Sequence, residues 1–198
     1  MSASLALLSA CGGAGQSSDA TNASGKFDVK LNGKDSTLNV KSGAVYYGGA
    51  TVQMMDQPGK PTVKTSAHTI YVANYEMDTT GSAWMKEPLA APGQMRIGIK
   101  VTGEDGTFLD SPLKVGTYSA QTKHINSVTD VIINTFADGK QTEARFGNLN
   151  VGPIIGATEG EVKITSVTAD TVSGEVNLTE GDKAIKGTFT AKLPAATK

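Results

Sequence analysis

Apolar and polar residues alternate with a period of two along most of this chain, and pairs of turn-forming residues interrupt the alternation at short intervals. Side chains of an extended strand point to opposite faces in turn, so this period describes segments with one face buried and one face wet. Phe27, Val29 and Leu31 alternate with Lys26, Asp28 and Lys30, and Asn32-Gly33 then turns the chain toward Thr37 to Val40. Val63 to Val72 is rich in β-branched residues, Arg96 to Val101 alternates without a break, and Gly103-Glu104-Asp105-Gly106 reverses direction. Val115 to Ser119 and Val128 to Phe136 follow, with Asp138-Gly139 joining the latter to Thr142 to Phe146. Three further segments are marked by Val162, Ile164 and Val167, by Val172, Val176 and Leu178, and by Ile185, Phe189 and Leu193. Ala169-Asp170 and Glu180-Gly181-Asp182 separate them as a meander.

Helical spacing is missing over any stretch long enough to nucleate a confident helix, which leaves room for a turn or two between Thr79 and Ala91. The expectation is an all-β domain over residues 26–198. About nine or ten locally connected strands fit an antiparallel β-sandwich, with a closed antiparallel β-barrel as the alternative. No internal repeat points to a solenoid or propeller.

A chain of 198 residues fills one core rather than two. Aliphatic and aromatic residues are 38%, and the 23 glycines bring the apolar share to the ordinary globular level, which excludes general disorder. The net charge is −1, without clustered Lys and Arg to neutralise phosphates, so no nucleic-acid partner is expected. A single cysteine, Cys11, precludes an internal disulfide and any zinc site built from several thiolates.

Leu5-Ala6-Leu7-Leu8 is a short apolar run, and Ser9-Ala10 places two small residues directly before Cys11. Leu8-Ser9-Ala10-Cys11 resembles the lipobox of bacterial lipoproteins. The resemblance implies a diacylglyceryl thioether on Cys11, cleavage before it and acylation of the new amino terminus. Residues 1–10 would then be a signal peptide and residues 11–25 a lipidated tether. Two or three acyl chains hold a protein at a bilayer durably where one does not. Gly12 to Ser24 has almost nothing to bury, and a flexible chain of that length spans about 20 Å end to end. The residue after Cys11 is Gly12 rather than aspartate, which for such lipoproteins implies sorting to the outer membrane if the envelope is Gram-negative.

Catalytic patterns are sparse. The two histidines, His68 and His124, are far apart and outside any zinc-binding spacing, so no metal or other cofactor is expected. His68 shares a strand face with Ser66, Ile70 and Val72 and reads as a hydrogen-bonded structural residue, whereas His124 lies in a polar stretch. No serine sits in a nucleophile elbow. Glu159 with Glu161, and Glu104 with Asp105, are neighbouring acids of the kind that turns and strand faces usually leave solvated. Gly103 to Gly106 lacks the ligand alternation of a calcium loop, and Gly48-Gly49 lacks the helix a phosphate loop needs.

What remains is a binding or structural module rather than an enzyme. The long connection after Tyr75 carries Met77, Trp84, Met85, Pro88, Leu89 and Pro92, and Met54-Met55 lie in a second irregular stretch. Adaptable methionines beside the only tryptophan suit contact with a protein or an apolar ligand at one end of the fold. The plainer alternative is that they plug that end. The glycine-flanked segment Gly147 to Gly156 reads as a crossover or a lid. Two rival functions stay open: a barrel carrier with an internal pocket lined by Tyr71, Tyr118 and Phe136, and a polysaccharide hydrolase using two acids.

Overall fold

Asn32 and Gly33 both hold left-handed backbone (φ 50° and 74°), as do Asp138 and Gly139 (φ 52° and 74°), so each pair makes the tight turn whose twist matches its flanking strands. The computed structural model describes residues 23–52, 63–79, 85, 87–108, 111–120, 125–146 and 158–194. Their strands are β1 (Ser24–Leu31), β2 (Lys34–Asn39), β3 (Ser42–Val52), β4 (Val63–Ala73), β5 (Met95–Thr102) and β6 (Gly116–Ser119). β7 (Ser127–Ala137), β8 (Lys140–Phe146), β9 (Glu159–Val167), β10 (Thr171–Glu180) and β11 (Lys183–Lys192) complete the set. β3 is not among the segments expected from the sequence, where Gly48-Gly49 is weighed only as a phosphate loop; the other segments fall where the alternation puts them.

Of the two expected architectures, the closed barrel is the one found. Hydrogen bonding runs β10–β9–β6–β7–β5–β4–β3–β11 and returns to β10, a ring of 8 strands. The favoured sandwich is corrected at two corners, where single parallel bridges, Ser119 to Ser127 and Ala44 to Lys192, join two otherwise antiparallel sheets. Each corner arises because one strand edge is shared. β7 gives Ser127 to β6 and the stretch from Val131 onward to β8, while β11 gives Lys192 to β3 and Ala184 to Thr190 to β1. β8 and the β1–β2 hairpin therefore extend from the wall of the ring.

The interior holds the apolar set of the alternation. Ile70, Ile97, Ile99 and Ile133 from one side meet Phe146, Ile164, Leu178 and Ile185, all with no solvent exposure. Burying each such side chain contributes roughly 1.5–3 kcal/mol, which is the term that closes the ring. Phe27 and Leu38 bring the β1–β2 hairpin into the same core. Outward positions on β9, β10 and β11 carry Glu161, Lys163, Glu175 and Lys186, which keep that wall wet. Among the described residues no helix is long and apolar enough to cross a membrane.

A groove on the outer face of the barrel

The described residues of the connection after β4 (74–79, 85 and 87–94) bond back to the barrel wall. Ser42 Oγ donates to the Tyr75 carbonyl (2.5 Å) and accepts from the Met77 amide (3.1 Å). Asn74 joins both ends of the connection, donating from Nδ2 to the Gly93 carbonyl and accepting from the Met95 amide, each at 2.8 Å. The Leu89 amide donates to Gln141 Oε1 (2.7 Å), and Gln141 Nε2 in turn donates to Asn134 Oδ1 (3.0 Å). Leu89 and Arg96 are buried beneath this cover, and Arg96 bonds to Tyr75.

Beside the covered patch lies a groove of about 600 Å³ whose floor is the outer face of β3, β4, β5 and β7. Strand register sets its layout. Tyr46, Thr69, Lys100 and Asp130 are successive cross-strand partners and form one row. Ala44, Tyr71, Gly98 and Ile132 form the next. Met85 enters from the connection above. Tyr46 and Tyr71 are diagonal neighbours, a relation that leaves about 7–8 Å between backbones and lets long side chains meet.

At the Asp130 end, Arg145 of β8 donates from Nη1 to Asp130 (3.4 Å) and from Nε to Glu143 (2.7 Å), so one guanidinium serves two carboxylates. Burial raises the Asp130 carboxyl above its ordinary range, opposed by the nearby charges of Arg145 and Lys100. Burial likewise raises the phenol of Tyr71. Among the described residues Tyr46 Oη, Thr69 Oγ1 and Lys100 Nζ make no hydrogen bond or ion pair. The groove thus presents aromatic surface together with donors that make no hydrogen bond among the described residues.

Of the residues singled out by sequence, Met85 lines this groove and Met77 is half-buried in the connection that borders it. Cys11, Met54, Met55, Trp84, His124 and the Gly147 to Gly156 segment lie outside the described residues. Tyr71, Tyr118 and Phe136 do not share one internal cavity. Tyr71 lies on the outer face, while Tyr118 is buried in the core with its hydroxyl donating to the Lys114 carbonyl (2.9 Å). His68 does lie on the inner face with Ile70 and Val72, fully buried and edge-on to Tyr47 at 4.8 Å. The hydrogen bond expected for it is absent: neither ring nitrogen has a partner among the described residues. Among those residues no cluster of three or more His, Cys, Asp or Glu could hold a metal.

Sequence reasoning missed Tyr46, Thr69, Lys100 and Asp130 as a unit. The available signal was parity: each occupies a position alternate to a core residue such as Val45, Ile70, Ile99 or Val131. Comparisons with known protein families, with curated proteins and with solved structures found no match for this chain.

Proposed function

We propose that the chain is a bacterial lipoprotein whose barrel is a non-enzymatic binding domain, held beside a membrane by acyl chains on Cys11. The observation that carries the binding reading is the outer-face groove, whose volume of about 600 Å³ lies within the range of small-molecule sites, roughly 300–1,000 Å³. Leu8-Ser9-Ala10-Cys11 supports the anchor, and residues 12–23 separate Cys11 from the first strand. The groove is preferred to the barrel interior as the binding place, because Ile70, Ile97, Ile99, Val131 and Ile133 already pack that interior.

Two measurements test this. Metabolic labelling with a fatty-acid analogue should mark the natural chain and leave Cys11→Ser unlabelled and released from the membrane fraction; an unlabelled natural chain would refute the anchor. Cosedimentation with envelopes stripped of protein tests the groove, done in the Cys11→Ser background so that the lipid does not contribute. Thr69→Glu, which sets a carboxylate in the middle of the polar row, should abolish cosedimentation; equal binding by both forms would refute the groove as the contact surface.

A further inference from the structure

We infer that the groove is a site for uncharged oligosaccharide, an inference that rests on reading it as a binding surface. The polar row runs across the strands as phenol, hydroxyl, ammonium and carboxylate: Tyr46, Thr69, Lys100 and Asp130. Neighbouring strands are about 4.8 Å apart, so three steps give a line of about 14 Å, long enough for more than one sugar ring. Tyr46 is 41% exposed and offers ring surface at one end. In the adjoining row Tyr71 lies over Gly98, where the missing side chain leaves a shelf continued by Ile132.

Each competing ligand class meets an obstacle. Lys100 and Arg145 are balanced by Asp130 and Glu143, so a phosphate or polyanion attracted by the ammonium is repelled by the adjacent carboxylates. An acyl chain would strip water from Lys100 and Asp130 without replacing its hydrogen bonds. An extended peptide is usually captured through a free strand edge, and β4, β5 and the paired stretches of β3 and β7 offer a face with no edge. A neutral polyol fits what is left. Its C–H faces pack on the tyrosine rings, and its hydroxyls accept from Lys100 Nζ and donate to the Asp130 carboxylate, both of them charge-assisted bonds.

Calorimetric titration of the full chain tests the assignment. The probes are short neutral oligomers of glucose, mannose and N-acetylglucosamine, inorganic phosphate, phosphatidylglycerol vesicles and a pool of short extended peptides. Saturable binding to a neutral oligosaccharide is expected, weakened about tenfold by Tyr46→Ala and retained by Tyr46→Phe. Lys100→Met should weaken it by a similar factor. Tyr46 is exposed, so its variants should keep the fold, and their thermal melts should be unchanged. Binding of peptide or vesicles that is lost in the same variants overturns the sugar assignment and leaves the groove as a binding surface. Failure of every probe, or binding indifferent to Tyr46 and Lys100, overturns both.

Discussion

The ring of Tyr71 lies so close against Gly98 that a Cβ built on residue 98 would come within 2.8 Å of Tyr71 Cε1 and 3.2 Å of Cδ1. These residues are cross-strand partners on β4 and β5, so the glycine sets how flat the tyrosine lies and how deep the groove is. Gly98→Ala should lift the ring, costing about 1–3 kcal/mol as an overpacking substitution. Urea unfolding measures this, and a loss under a few tenths of a kcal/mol would show that Tyr71 swings aside freely.

His68 makes stability depend on pH. Burial lowers its pKa from 6.5 to about 4 in the folded chain. The unfolded chain therefore takes up a proton first as pH falls. The His68 contribution to stability is complete above pH 6.5 and is lost progressively as pH drops toward about 4, about 3 kcal/mol in total. His68→Leu removes two unpartnered nitrogens, so it should remove this slope and leave stability at neutral pH equal or higher. Urea melts of both proteins across that pH range check it, and identical slopes would assign the acid sensitivity elsewhere.

Lys183 fastens the turn between β10 and β11 to the end of β8. Its ammonium pairs with Glu180, donates to the Arg145 carbonyl (2.6 Å) and sits 5.4 Å from the centre of the Phe146 ring. Thr158 Oγ1 donates to the other Glu180 oxygen (2.6 Å). With side-chain exposures of 21% and 12%, this pair lies between the surface and buried regimes, so Lys183→Met should cost about 2 kcal/mol. Adding Glu180→Gln should recover part of that loss, since the carboxylate charge that Lys183 balanced is then gone. A double-mutant cycle showing additive effects would contradict the coupling.

Period-two alternation carried most of the fold because burial on one face only is a local property of each strand. Phe27, Val29 and Ile164 announce their own orientation, and Asn32-Gly33 and Asp138-Gly139 declare turns through backbone angles few other pairs accept. Closure was not legible in that way. It hangs on Ser119 meeting Ser127 and Ala44 meeting Lys192, contacts between distant segments that no local pattern encodes. β3 was not among the expected segments, and Tyr46 was missed with it. The groove was invisible for the same reason as closure: Thr69, Lys100 and Asp130 become neighbours only through register. Met85 was found because a long apolar connection is conspicuous in sequence, although what it would border was not.

Backbone amide NMR of the full chain, titrated with neutral oligosaccharides, locates the binding surface residue by residue. Binding in the outer-face groove gives saturable shifts centred on Tyr46, Thr69, Tyr71, Lys100 and Ile132, with the β9–β10–β11 wall unmoved. Shifts centred instead on core residues such as Ile99 and Ile133, or on that opposite wall, would contradict it.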